Sequence, residues 1–276
     1  MSLHYPTRLD ATATPLDATA PLSPEQLDRF AEQGYLILPS FLPADLVDRL
    51  RPEVDRWVDE GLRARSIACC LQPAVHGDPP VLELELPAHG ELIGHPPLLA
   101  VLDRLLGPSF VFHHLHSDRQ APGLAGKQWH HDYEQALASD RAYGMVHTLH
   151  YLDGLDRETS ALVVLPGSHH RAAPKTALAH LDTGVLPGEV VVDELPPGST
   201  VVLHSALFHA RRPNPHHPGK ERYFVDASYC QTGALWPPVK PYWRHMLRRA
   251  RELELDRGTR PELFAERHFT EYRKPA

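Results

Sequence analysis

Cysteine is scarce: the chain has 3 in 276 residues. Cys69, Cys70 and Cys230 form neither a disulfide framework nor a zinc-type spacing. A small stapled fold is therefore excluded, and a reducing cytoplasm is the simplest compartment to expect. Long apolar runs are missing too. No stretch reaches the ~18 residues that a membrane-spanning helix needs. The first residues, Met1 to Asp10, lack the charged-then-apolar order of a signal peptide. Positive charge is in deficit, with 28 Lys and Arg against 35 Asp and Glu, so wholesale nucleic-acid binding is not expected. The one basic cluster, Arg244, Arg248, Arg249 and Arg251, reads as a solvated helix face.

What is abundant is histidine and proline, with 20 and 28 residues. A hydrophobic fraction of 42% and a charged fraction of 23% are ordinary for a globular chain. The length suits one large domain or two small ones, with ample core. Residues 1–22 are rich in Ala, Thr and Pro without any period, and are expected to form a flexible leader. Residues 23–276 are expected to form a single domain. Its parts are a helical front (23–107), a β core (109–230) and a helical tail (240–276).

Local signals place the elements. Ser23-Pro24-Glu25-Gln26 opens a helix with a capping box and Pro at its first position. Gly34 ends that helix, and Tyr35–Leu38 follows as a short strand. A second helix is expected over about 44–61, kinked at Pro52, and a third over about 97–106. His76 and His89 fall in Pro-rich stretches read as loops. From 109 onward, short β-rich runs alternate with Gly/Pro turns: 109–116, 144–152, 161–165, 189–194, 199–204 and 222–230. That spacing predicts a mainly β fold with flanking helices, its core a jelly roll. A tail helix is expected near 242–253.

Five histidines are followed two residues later by a carboxylate: His76, His89, His116, His130 and His180. Roughly 2–3 such triplets are expected by chance at this composition, so the triplet alone means little. Two imidazoles and one carboxylate on one face of an octahedral metal would suit Fe(II), which needs open positions opposite. The surroundings of each triplet narrow the choice. His180–Asp182 lies in a polar loop too near His209, and His76 and His89 precede the β core. His116–Asp118 and His130–Asp132 remain, each beside a strand. In an extended segment 130 and 132 share a side, and His131 points away. His209 is expected to end the run beginning at Ser199.

Five motifs in order resemble the phytanoyl-CoA dioxygenase family of Fe(II)/2-oxoglutarate-dependent oxygenases. They are Leu22 to Pro39, Trp129-His130-His131-Asp132, Pro166-Gly167-Ser168-His169, Gly198 through His209 with Pro213-Asn214, and Arg222 to Tyr229. The resemblance covers about 22–230. It implies a double-stranded β-helix core of the jelly-roll or cupin-like kind. It implies that His130, Asp132 and His209 bind iron, and that Arg222 clamps the distal carboxylate of 2-oxoglutarate. A planar guanidinium suits that task because it can give two hydrogen bonds at once. O₂ and 2-oxoglutarate would be co-substrates, and the expected outcome is hydroxylation of a small molecule such as a natural-product intermediate or amino-acid derivative. Desaturation, epoxidation or ring rearrangement are the alternatives. Related halogenases replace the carboxylate with a small residue, so the intact Asp132 argues against halide transfer.

The chain departs from the family pattern in places. The loop before Arg222 is longer, which makes Lys220 a rival clamp, and Arg211 stands where relatives often carry Ser or Thr. His147 shares one strand face with Leu149 and Tyr151, and that face is expected to look inward, making His147 a candidate co-substrate contact. Tyr133 and Trp236 are candidate substrate contacts. The expected partner is a small-molecule substrate, with no nucleic acid or membrane, for a monomer or homodimer. A zinc-dependent hydrolase and a non-catalytic jelly-roll binding protein are the competing classes.

Overall fold

The capping box forms as expected. Ser23 Oγ accepts from the Gln26 N–H at 3.3 Å, and the Gln26 side chain accepts from the Ser23 N–H at 2.8 Å. Helix α1 (Pro24–Gln33) ends at Gly34, whose φ of 84° is one that glycine takes without a Cβ clash. These details come from a computed structural model that describes residues 22–135, 142–213 and 219–274, with the backbone alone of 7–8. Most of the expected leader thus lies outside the described residues.

The chain turns directly into β2 (Tyr35–Leu38), after β1 (Thr7–Arg8). Helix α2 (Ala44–Asp59) turns Leu46, Leu50, Val54 and Trp57 inward and carries Pro52 on its exposed side. It stops short of 61, where Gly61 at φ 60° takes the left-handed turn that starts α3 (Leu62–Leu71). Helices α4 (Pro73–His76), α5 (Pro87–Ile93) and α6 (Pro96–Leu106) follow. The expectation of loops around His76 and His89 is thereby corrected. Pro73 and Pro87 occupy first helical positions, where the missing N–H removes no helical bond. His89 is fully buried between Glu53 and Ser117, at 2.8 Å from each, and is a structural residue.

The strands are β3 (Phe110–Gln120), β4 (Lys127–His130), β5 (Met145–Tyr151), β6 (Leu162–Val164), β7 (Val190–Val192), β8 (Ser199–His204), β9 (His209–Arg211) and β10 (Arg222–Gln231). Helix α7 (Trp243–Glu252) opens the tail, but beyond it the described residues form turns and one short 3-10 turn (Glu266–His268), so the expected helical tail is helical only in its first part. The strands build two sheets, ordered β2-β8-β5-β10-β3 and β1-β7-β6-β9-β4. All pairs are antiparallel except β1 with β7. This is the jelly roll expected from the strand pattern, in the double-stranded β-helix form that the family resemblance implied.

Two boundaries differ from expectation, and both bear on the site. Strand β3 continues to Gln120, because β10 pairs with it along that whole length, from Gln120↔Arg222 to Phe110↔Gln231. His209 does not end the run from Ser199. β8 stops at His204, a turn intervenes, and His209 opens β9.

Alternation then sorts the side chains of β10. Tyr223, Val225 and Ala227 join the core beneath the helices, with Leu50, Val54, Leu98, Leu102 and Leu247. Each such buried aliphatic stabilises the fold by about 1.5–3 kcal/mol. Arg222, Phe224 and Asp226 face the other way and line a cavity. The same alternation on β3 sends His116, Asp118 and Gln120 into that cavity. No helix among the described residues is long and apolar enough to cross a membrane.

Candidate metal centre

His130 and His209 are direct partners across the β4–β9 pair, with ring centroids 4.3 Å apart. Asp132 lies just past β4, where its N–H donates to Ser205 O at 2.8 Å and fixes the backbone. Its Oδ2 stands 3.2 Å from His209 Nε2 and 3.7 Å from His130 Nε2. One donor atom from each of the three residues lies within 4.8 Å of the others. The ligand pair thus sits at the end of β4, beside a strand as expected. His131 points away, with Nε2 3.0 Å from Ala173 O and its ring against Phe208.

The hydrogen bonds behind the rings decide what the site can hold. His130 Nδ1 donates to Gln128 O at 2.8 Å, and His209 Nδ1 donates to Leu207 O at 3.0 Å. The Nδ1 proton of each ring is therefore spent on a backbone carbonyl, and Nε2 is the nitrogen left facing the site. His130 Nε2 is buried with no hydrogen-bond partner. Burial, and then His209, push the His130 pKa down to about 3, so this ring stays neutral. Burial works against the charge of Asp132, but the His209 hydrogen bond and the neighbouring imidazoles outweigh it and hold the carboxyl well below its usual range. Two imidazoles and one carboxylate, with the orphaned buried Nε2 of His130, fit a divalent metal held on one face.

The approach to His209 is braced by the Pro-Gly-Ser-His turn. Ser168 Oγ accepts from the Phe208 N–H at 2.9 Å, and Leu165 N–H donates to Phe208 O at 2.9 Å. Gly167 makes the turn at φ 75°. A Cβ at Gly34 would meet His169 Nδ1 at 2.5 Å, so the end of α1 packs against the same brace.

Arg222 sits in the same cavity, of about 340 Å³, only 6% exposed. It donates to Gln120 Oε1 at 2.7 Å and to the Tyr151 hydroxyl at 3.0 Å, and its guanidinium lies over the Tyr151 ring at 4.9 Å. Its Nε is buried without a partner. Arg211, two residues beyond His209, lines the cavity as well, donates to Ala125 O at 2.7 Å and has an orphaned Nε. Among the described residues neither guanidinium has a carboxylate partner, so the two call for an anion from outside. Lys220 is taken up on the surface by Asp156 and Glu158, at 2.8 and 2.6 Å.

The remaining expected residues are placed as follows. Leu149 and Tyr151 line the cavity; His147 shares their strand face but is buried and absent from the lining, while His150 bonds Thr200 on the other side. His147 does not reach Arg222. Its Nδ1 lies 2.9 and 3.0 Å from the two oxygens of Asp226. Burial disfavours the charge of His147, but the Asp226 carboxylate overcomes this and raises its pKa. Tyr133 and Trp236 are absent from the cavity lining; they pack edge to face at 5.6 Å in the core. His116 and Asp118 line the cavity but belong to no three-donor group among the described residues. Sequence reasoning missed Gln120, Tyr151 and Asp226. The alternating polar positions of 116–120 and 222–226 were the available signal.

A family model described as phytanoyl-CoA dioxygenase (PhyH) matches residues 30–215. The chain is 26% identical over 201 residues to the dioxygenase trt7 of Aspergillus terreus, covering 68% of this chain and 67% of that one. It is 25% identical to the ectoine dioxygenase of Bordetella bronchiseptica, covering 54% of this chain and half of that relative's length, 50%. Among solved structures, the fold is similar to the non-haem α-ketoglutarate-dependent carbocyclase SnoK from nogalamycin biosynthesis, with TM-score 0.61, 18% identity and coverage of 82% and 90%. It is also similar to EctD from S. alaskensis with 2-oxoglutarate and 5-hydroxyectoine, with TM-score 0.58, 21% identity and coverage of 84% of each chain.

Proposed function

This chain belongs to the phytanoyl-CoA dioxygenase family, and on that premise we propose that it is an Fe(II)- and 2-oxoglutarate-dependent oxygenase acting on a small molecule. The observation that carries this reading is the pairing of two features in one cavity. One is a 2-His-1-carboxylate face with the Nε2 of His130 buried and unpartnered, and the other is a buried guanidinium with no carboxylate partner among the described residues.

His130, Asp132 and His209 would hold the metal and leave the opposite face open. Bound there, Fe(II) would supply the activation of O₂ coupled to oxidative decarboxylation of 2-oxoglutarate. Arg222 would take the distal carboxylate, with Gln120 and Tyr151 keeping its fork aligned. Arg211 would add a second positive charge at that end. Hydroxylation is the outcome we assign, because Asp132 fills the ligand position that halide transfer needs empty. Ring closure, the reaction named for SnoK, is the rival outcome.

The test is a metabolite screen for 2-oxoglutarate-dependent succinate release, followed by mass analysis of each product. Succinate release that requires Fe(II) and a product heavier by one oxygen support the reading. Activity with Zn(II), independent of 2-oxoglutarate and O₂, would make the chain a hydrolase instead.

A further inference from the structure

The cavity has a second polar end. Arg222 and Asp226 lie on the same face of β10, four residues apart. At strand rise that separation is about 13 Å, roughly twice the length of a five-carbon diacid. A 2-oxoglutarate anchored on Arg222 therefore does not fill the Asp226 end. Asp132 is close enough to that end for its charge to act on His147.

Asp226 is under-satisfied. Among the described residues its only hydrogen-bond partner is His147 Nδ1, one donor shared by two oxygens. An ionised carboxylate offers about four acceptor sites. Its side chain is 13% exposed and lines the cavity. His147 Nε2 is itself buried without a partner, in a side chain only 5% exposed. His114 completes a group of three donors here; its Nδ1 is engaged by Ser228 Oγ at 2.7 Å and His113 Nδ1 at 2.9 Å, which leaves Nε2 as the atom it could offer. A hydrocarbon placed against Asp226 would strip water from its oxygens and give nothing back.

We propose, resting on the oxygenase reading above, that Asp226, held by His147, is the substrate-anchoring residue. It takes hydroxyl groups of a polar substrate at the end of the cavity opposite Arg222. Neutral donors fit better than ammonium groups, because His147 already balances the carboxylate and the charge of Lys240 acts on it as well. The substrate class is thus a hydroxylated small molecule rather than a fatty acyl chain.

The experiment uses the full chain loaded anaerobically with Fe(II) and 2-oxoglutarate. Three probe sets are titrated against the visible metal–co-substrate band: neutral polyols (cyclitols and hexoses), polyamines, and medium-chain fatty acids. We expect polyols to perturb the band and to speed succinate release once O₂ is admitted. Asp226→Ala should weaken polyol binding by about tenfold or more, while the 2-oxoglutarate Kd stays unchanged. Asp226→Asn, which keeps the shape, serves if the alanine variant does not fold. The proposal is overturned if a normal band does not respond to polyols, if polyamines or fatty acids bind in preference, or if the Asp226 variants bind polyols as the wild type does. Two metal ions per chain, falling to one in Asp226→Asn, would overturn it in favour of a second metal site. Absence of the band in the wild type would instead mark failure of the metal and co-substrate reading.

Discussion

Nε2 of His209 stands 3.2 Å from Oδ2 of Asp132, although the two come from opposite sides of the β4–β9 pair. The contact exists because Asp132 leaves β4 anchored on Ser205 O, in the turn that leads into β9. The carboxylate and the imidazole are thus tied to one short piece of backbone. The His130→Ala, Asp132→Ala and His209→Ala variants should each lose the bound metal while keeping the fold. Metal analysis of the purified, reconstituted variants checks this, with circular dichroism as the control.

Arg222 is held by Gln120 and Tyr151 and has no carboxylate partner among the described residues. Arg222→Ala should weaken 2-oxoglutarate binding by about 10–100-fold, the worth of charge-assisted hydrogen bonds. Arg222→Lys should recover part of that, and Arg211→Ser should cost less. Calorimetric titration of 2-oxoglutarate into the metal-loaded protein measures all three.

Just past β9, Arg212 gives two hydrogen bonds to the fully buried Glu189, at 2.6 and 2.7 Å. Glu189 also accepts from the Leu186 N–H at 2.7 Å. Arg212→Ala would strand that carboxylate. The expected loss is about 3–5 kcal/mol of stability, read by urea unfolding. A double variant Arg212→Met/Glu189→Leu should recover most of it.

The His147–Asp226 pair makes stability depend on pH. The folded-state pKa of His147 is raised, because Asp226 outweighs burial. Its contribution is therefore complete below the unfolded value of about 6.5 and fades as pH rises through the folded value. Unfolding free energy should fall on going from pH 6 upward by a step that Asp226→Asn removes. Urea melts of both proteins across about pH 5.5–9 show whether the step is there.

The sequence exposed some of this and hid the rest for physical reasons. The strand alternation and the cap at Ser23 were legible because they are local. Helices α3 to α5 were not, since prolines that read as loop breakers in fact start α4 and α5. His130, Asp132 and His209 came from ordered motifs rather than from spacing, and their meeting depends on a cross-strand register that spacing does not encode. Tyr133 was chosen for standing beside Asp132 in the chain, yet its side chain turns into the core, where it donates to Tyr143 O. Asp226 went unnoticed because its link to His147 is diagonal between strands. Register pairs Asp226 with Leu149 and Ser228 with His147.

The most direct test of the central claim is anaerobic titration of the protein with Fe(II) and then 2-oxoglutarate, followed by visible absorption. A weak charge-transfer band should grow to saturation at one metal and one 2-oxoglutarate per chain and should be missing in Asp132→Ala and His209→Ala. A wild-type protein that binds metal but gives no such band, or a band that survives both substitutions, would contradict the account.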